Sequence, residues 1–526
     1  MFLKHNFSLL FCGLFMLFLF ACNDKTNEKP ENVQPNILFI LSDDHTSQAW
    51  GVYGGQLQDY VKNENIKRLA KEGALLTNVF CTNSICTPSR ASILTGQYSH
   101  VNQVFTLNEP LPEGHPNIAK ALKTAGYQTA LIGKWHLVKK PEGFDYFNVL
   151  PGQGRYWDPL LKSSDSWKDG YDTSQAVEYK GFSTDVITDL TIQHLKERDS
   201  TKPFLMFCNF KATHEPFDYP NRFKSLYEGV EIPEPESLFD FNPETTGRTF
   251  IGQKLEVLAN RWEQATKDPE NWWTTYPGLP FSIDGLDSIQ ARKKIYQKLV
   301  KDFMRSGAAI DDNIGKLLDF LETEGIANNT IVIYTADQGY FLGEHGFFDK
   351  RLIYEESLRM PFVIRYPKEI KGGKKIDDII LNIDFAALLS DYAGVTKPDF
   401  IQGESFRDNL KGNTSPNWRS QMYYRYWLHS PERPAHFGLR NKRYKLAFFY
   451  GQDLGKKGTS KITTAPNWEF YDLQNDPHEL YNAIDNEKYQ DIIEEMKTEI
   501  VNERTKYRDL DVNSEIMKEI LSQNLN

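Results

Sequence analysis

The chain has 526 residues, 40% hydrophobic and 25% charged, enough for a large core and more than one domain. Its net charge of −10 excludes a general nucleic-acid binder, which needs a basic footprint. An anionic substrate must then be drawn in by a local cationic pocket. Five cysteines do not make a disulfide scaffold, and Cys81 and Cys208 read as two separate buried thiols.

In chain order, Met1 to Ala21 reads as a signal peptide, with Lys4 and His5 ahead of an apolar run from Leu9 to Phe20. That run is short for a span of about 20 residues. It ends in Leu19-Phe20-Ala21-Cys22, which resembles a bacterial lipobox and implies a membrane-anchoring lipid on Cys22. Residues 22–34 suit a flexible tether. The expected place is therefore outside the cytoplasm, membrane-anchored in the periplasm or on the cell surface.

Asn36 to Ser42 is a continuous apolar run, the mark of a strand buried on both faces. It ends in Asp43-Asp44, which fits either an exposed turn or a cation site at a strand's carboxyl end. His45 reads as a loop residue. Ile66 to Glu72 predicts a helix stopped by Gly73. In Cys86-Thr87-Pro88-Ser89-Arg90 a loop turns into a helix, with Pro88 at its first position. Cys86 near that N-terminus is either a thiolate nucleophile or a small buried residue.

Asn117 to Thr124 predicts a further helix, and Gln128 to Ile132 a strand leading to Gly133-Lys134-Trp135-His136. There Lys134 and His136, two residues apart, can point the same way. Without context they are a surface lysine and a packed histidine. Residues 152–180 have no clear period; their aromatic residues suit sugar stacking or a packed loop. Thr184 to Arg198 predicts a helix, and Pro203 to Phe210 a buried strand that delivers Lys211 and His214 to its carboxyl end. Residues 217–289 read as an insertion. Ser288 to Glu324 is a long amphipathic stretch in which Gly307 marks a break or kink.

Thr330 to Ala336 predicts another buried strand, ending in Asp337-Gln338-Gly339, with His345 and Asp349-Lys350-Arg351 beyond it. Met360 to Tyr366 reads as a core strand, Ala386 to Tyr392 as a helix and residues 403–416 as a linker. Short aromatic strands follow, including Met422 to Trp427 and Tyr444 to Phe449, before a final helix from Lys488 to Lys506. No internal repeat is present.

Cys86-x-Pro-x-Arg90 followed by Leu94-Thr95-Gly96 resembles the signature of type I sulfatases, in the alkaline phosphatase-like superfamily. The Lys134–His136 pattern resembles their second signature, and the resemblance runs from Asn36 to Asn482. It implies an α/β fold: a large mixed, mostly parallel sheet sandwiched by helices (residues 35–410) with a smaller C-terminal α+β subdomain (411–526). It further implies that Cys86 becomes formylglycine through a maturation enzyme and that Asp43, Asp44, Asp337 and Gln338 hold one calcium ion with it. In this reading Arg90 orients the nucleophile, and Lys134, His136 and His214 act on the nucleophile and sulfate. Lys350 contacts sulfate, and Arg351 and His345 face the sugar. Lys211 is a possible supporting charge. The family usually has Asn or His at position 338, and Gln keeps the carbonyl oxygen. The implied substrate is a sulfated polysaccharide such as ulvan or a glycosaminoglycan. The alternatives are a phosphoester or phosphonate ester hydrolase of the superfamily, or a non-catalytic glycan-binding lipoprotein with unmodified Cys86.

Overall fold

The strand Asn36–Asp43 sits at the centre of a ten-stranded sheet and is buried along its whole length. Its alternation sends Ile37, Phe39 and Leu41 into one apolar cluster and Leu38 and Ile40 into another, one on each face of the sheet. In spatial order the strands are Lys374–Ile376, Ala74–Leu76, Phe362–Arg365, Thr330–Ala336, Asn36–Asp43, Phe204–Thr213, Gln128–Lys134, Tyr146–Leu150, Leu160–Ser163 and Val177–Glu178. The run from Thr330–Ala336 to Tyr146–Leu150 is parallel throughout. Antiparallel pairs occur only towards the edges. This computed structural model describes residues 34–107, 109–239, 249–250, 252–269 and 275–525. The expected signal peptide, the lipid site at Cys22 and all of the tether except Gln34 lie outside them. Among the described residues, no helix is long and apolar enough to cross a membrane.

Helices Cys86–Thr95, Ile118–Thr124 and Asp384–Tyr392 pack on one face of the sheet. Glu64–Glu72, Ser183–Lys196 and Ser288–Thr323 pack on the other. The fold is thus the expected helix-covered, mostly parallel sheet, with an additional four-stranded antiparallel sheet near the C-terminus. The strands of that smaller sheet are Gln421–Tyr426, His436–Asn441, Tyr444–Phe449 and Asn467–Asp472. Its Tyr423, Phe437 and Phe448 share the apolar cluster of Phe39 and Phe207. The expected boundary between residues 410 and 411 falls within the short helix Arg407–Lys411.

Several local expectations are corrected. Cys86 already has helical geometry after an extended Ile85, so Pro88 takes the third helical position. A missing N–H costs nothing there either, because the first-turn donors have no partner within the helix. Ser288–Thr323 runs unbroken through Gly307, capped by Asp287 and Gln290 in a reciprocal box. Gly307 makes room: a Cβ there would stand 3.1 Å from Nε2 of His45. Residues 403–416 are not a linker, since Phe406 and Leu410 are wholly buried. The 152–180 region carries the two edge strands Leu160–Ser163 and Val177–Glu178. The insertion forms the helix Glu256–Lys267, which packs on the long helix through Leu258 and Trp262. One further helix, Glu515–Asn524, follows Gln490–Tyr507.

The chain's end is tied down by a buried ionic knot. Arg425 donates to Asp509 at 2.5 Å and to Asp511 at 2.9 Å, and Arg504 donates to Asp511 at 2.6 Å. Removing one partner from such a cluster leaves a buried charge uncompensated, at a cost of about 3–5 kcal/mol. Arg425→Met should therefore lower unfolding stability by about that amount in a denaturant titration. A change below about 1 kcal/mol would show that the knot does not hold the C-terminal helices.

Candidate active site

The carboxyl ends of the parallel strands meet at one point, where open α/β sheets gather ligands. Asp43 closes its strand, Lys134 closes Gln128–Lys134, Asp337 follows Thr330–Ala336, and His214 follows Phe204–Thr213. The helix Cys86–Thr95 delivers Cys86 and Arg90 from one face of the sheet. Asp43, Asp44 and Asp337 each offer an oxygen within 4.8 Å of one another, all buried. At that distance each pair of like charges repels by about 3–4 kcal/mol even at an effective dielectric constant near 20. The cluster therefore needs cations.

Three side chains supply them. Arg90 donates through Nε to Asp337 at 2.9 Å and through Nη1 to the Lys134 carbonyl at 2.9 Å, and its Nη2 stands 3.4 Å from Asp43. Lys134 pairs with Asp43 and also donates to Gln153 at 2.6 Å. Lys350 donates to Asp44 at 2.5 Å. Burial works to raise the Asp43 pKa, but Lys134, His214, Arg90 and Lys350 outweigh it and hold the carboxyl well below its usual range. Burial raises Asp44 against the pull of Lys350. It raises Asp337 to about 8 against Arg90, with Asp43 and Asp44 adding to the rise. The charge balance of the cluster is incomplete at its Asp44–Asp337 side.

The backbone is bent to make this arrangement. Asp44 adopts φ 64°, a left-handed value uncommon for a non-glycine residue. Its N–H donates to Asp337 at 3.0 Å. His45, expected only as a loop residue, anchors the bend: its ring bonds the Tyr334 hydroxyl at 2.7 Å and packs on Trp50. Both rings also meet at that hydroxyl, since Trp50 Nε1 donates to it.

Cys86 is 1% exposed, with Sγ 3.9 Å from Asp44 and 3.5 Å from Nε2 of Gln338. Burial, then the charge of Asp43, pushes its thiol pKa up, so it stays protonated at neutral pH. Of the two sequence readings of this thiol, an unassisted thiolate nucleophile does not fit. Cys81 and Cys208 are free and buried, as expected. His214 points Nε2 toward Asp44 at 3.8 Å, and its Nδ1 lies 2.8 Å from the Glu215 carbonyl. A carbonyl only accepts, so Nδ1 carries the proton and Nε2 is the free nitrogen of the neutral ring. Nδ1 of His136 is buried without a hydrogen bond. Burial and then Lys134 hold both rings well below the usual histidine pKa. Lys211 is buried over the Tyr156 ring, 4.9 Å from its centroid, and makes no hydrogen bond.

Above Cys86 opens a cleft of about 180 Å³. Its walls include Asp44, His214, Lys350 and Arg351, together with Arg261, Arg433 and Gln153, which sequence reasoning missed. Arg351 and Arg433 both hold Asp349, at 2.9 and 2.5 Å, and Arg261 holds Glu215 at 2.6 Å. Arg261 comes from the insertion and Arg433 from a turn in the C-terminal sheet; neither lies in a recognisable motif. His345 is a correction. Its side chain is wholly buried among Phe341, Phe347 and Tyr354 and does not reach the cleft. The aromatic residues around Gly343–Gly346 turn the ring into the core.

The residues fit a hard cation. Asp43, Asp44, Asp337 and Gln338 offer only oxygens, and Asp43 Oδ1 and Gln338 Oε1 are buried without a hydrogen bond, although Cys86 and His214 also group with Asp43. In protein whose Cys86 is unmodified, iodoacetamide at pH 8 should label that thiol at least about tenfold more slowly than a free cysteine. Labelling at the free-thiol rate, read by peptide mass, would contradict this burial and protonation.

Comparison with known proteins places this geometry. A family model described as Sulfatase matches residues 35–395, and one described as N-sulphoglucosamine sulphohydrolase, C-terminal, matches residues 343–506. The chain is 38% identical to an N-acetylglucosamine-6-O-sulfatase of Bacteroides thetaiotaomicron, over 97% of this chain and 93% of that protein. It is 25% identical to an ulvan-active sulfatase of Formosa agariphila, over 92% of this chain and 84% of that one. A solved structure in complex with its substrate D-glucosamine-2-N,6-O-disulfate superposes with a TM-score of 0.81 at 35% identity. That alignment covers 92% of this chain and all of the other.

Proposed function

The chain belongs to the sulfatase family and is a sulfuric ester hydrolase; from that premise we propose that it removes 6-O-sulfate from glucosamine-type residues of glycosaminoglycan saccharides. The observation that carries the reading is Cys86 at the foot of a cationic cleft, against three carboxylates and two ammonium groups. The N-acetylglucosamine-6-O-sulfatase relative and the glucosamine disulfate complex support the sugar.

We assign one calcium ion to Asp43, Asp44, Asp337 and Gln338, and formylglycine to position 86, made by a maturation enzyme. Together these supply an activated oxygen nucleophile and a Lewis acid for attack on sulfur. The chain's own residues do the rest. Lys350 lines the cleft and Lys134 is buried on Asp43; both offset the charge of the sulfate oxygens, the kind of fixed electrostatics that is often the largest catalytic contribution. Arg90 fixes the nucleophile's helix to Asp337. Nε2 of His214 faces the cleft and gives its proton to the leaving sugar oxygen; the incoming sulfate's negative charge favours that protonated form. His136, whose Nδ1 is buried without a hydrogen bond, is the base we assign to take a proton at position 86. The Arg351–Asp349–Arg433 group faces the sugar's hydroxyls. We further propose that the enzyme is exported and tethered by lipid on Cys22, a reading that rests on the N-terminal sequence.

The test is free sulfate released from N-acetylglucosamine-6-sulfate, glucosamine-2-N,6-O-disulfate and ulvan oligosaccharides, after co-production with a formylglycine-forming enzyme. Release from the 6-sulfated glucosamines is expected, with Cys86→Ser lower by a factor of about 10³ or more. No release from either glucosamine, with the aldehyde confirmed by peptide mass, overturns the substrate assignment. For the metal, elemental analysis should find about one calcium per chain, lost in Asp43→Ala. Chelation should abolish sulfate release and added calcium restore it; full activity in metal-free protein would remove calcium from the site.

A further inference from the structure

A second groove opens beside the cleft, about 370 Å³ in volume, the size of a small-molecule site. One short segment separates the two: Leu107 lines the cleft and Phe105 lines the groove. Phe105 and Leu107 are two residues apart in a bend, at most about 7 Å along the chain, a separation that a ligand longer than one sugar can bridge. The segment is held firmly. The N–H groups of Phe105 and Thr106 donate to Glu109 at 2.9 and 3.2 Å, and Thr106 Oγ1 donates to the Lys457 carbonyl at 2.9 Å.

The groove's chemistry is that of an acidic sugar site. Its floor is the edge-on pair of Phe105 and Trp427, with centroids 4.8 Å apart. Lys456 stands over Phe105 at 3.4 Å and over Trp427 at 5.5 Å. No carboxylate lies within ion-pair distance of Lys456 or of Arg508 among the described residues. The two aspartates in the lining, Asp509 and Asp511, are already neutralised from behind by Arg425 and Arg504. The groove therefore presents two cations and no free anion, on a protein whose net charge is −10.

One further feature lacks a partner within the fold. Nε1 of Trp427 is buried without a hydrogen bond, although a buried indole N–H usually finds a partner. Arg508 is the left-handed C-cap of the helix Gln490–Tyr507, its N–H donating to the Thr505 carbonyl at 3.1 Å.

We propose that this groove is a second subsite for the sulfated saccharide, holding an anionic sugar of the same chain whose 6-sulfated residue sits in the cleft. Lys456 and Arg508 suit the charge of a sugar carrying sulfate or carboxylate, and the unpartnered indole N–H of Trp427 adds a donor for one of its oxygens. This inference rests on the sulfated-saccharide reading of the cleft.

The test compares the native protein with Lys456→Ala/Arg508→Ala on two substrates: N-acetylglucosamine-6-sulfate and a heparan-type hexasaccharide ending in a 6-sulfated glucosamine. The double variant should lose about tenfold in kcat/KM on the hexasaccharide and keep native activity on the monosaccharide. Equal loss on both, or no loss on either, overturns the subsite. In a second arm the same hexasaccharide is titrated into Cys86→Ser protein, with tryptophan fluorescence as readout and with and without the two alanines. Weaker binding in the triple variant, falling further with salt, supports the groove even if neither substrate is hydrolysed, an outcome that would count only against the sugar assigned to the cleft. Binding that ignores both alanines overturns the groove whatever the activity shows.

Discussion

Everything near the cleft answers to one constraint: three carboxylates held together at the carboxyl edge of a buried parallel sheet. Such a cluster is tenable only if cations meet it from several directions, and each arrives from a different element. Arg90 comes from a helix on one face, Lys134 from the end of a strand, and Lys350 from the loop beyond Asp337. The sheet order places these ends side by side, since Asn36–Asp43 pairs with both Phe204–Thr213 and Thr330–Ala336. Fold and site are in this sense one problem of charge balance.

The same constraint reaches further back. The bend at Asp44 is held by His45, His45 by Tyr334 and Trp50, and the space for His45 by Gly307 in the long helix. The rim is assembled in another way. Arg351, two residues along the same loop, and Arg433, from a turn of the small sheet, both reach Asp349. The C-terminal region thus shapes the cleft as well as covering one face of the core.

What was legible in the sequence was local in the chain. Asn36 to Ser42 declared a buried strand because Ile37 to Leu41 are all apolar, and Asp43-Asp44 at its end followed. Cys86 to Arg90 and Lys134 to His136 each sit within a few residues of a recognisable pattern. The structure brings all of these to one place. What stayed illegible was delivered by packing alone. Arg261 lies in an insertion without periodicity, and Arg433 in a turn whose position depends on the small sheet. His345 shows the opposite error: the resemblance put it at the sugar, but Phe341, Phe347 and Tyr354 close around its ring. Gly307 misled for a similar reason, because propensity registers its flexibility and not the histidine ring it must clear.

The burial of Cys86 has a consequence in time. A thiol 1% exposed, beneath Asp44 and Gln338, is out of reach of any other enzyme once the chain has folded. The proposed oxidation at this residue must then come before the strand Thr330–Ala336 pairs with Asn36–Asp43 and brings Gln338 over it. Those partners lie roughly 250 residues further along the chain than Cys86, and synthesis at about 5–20 residues per second takes roughly 10–50 s to reach them. The long sequence separation that makes this sheet slow to close also leaves the cysteine accessible for that interval, so the order of strands along the gene acts as a clock for maturation.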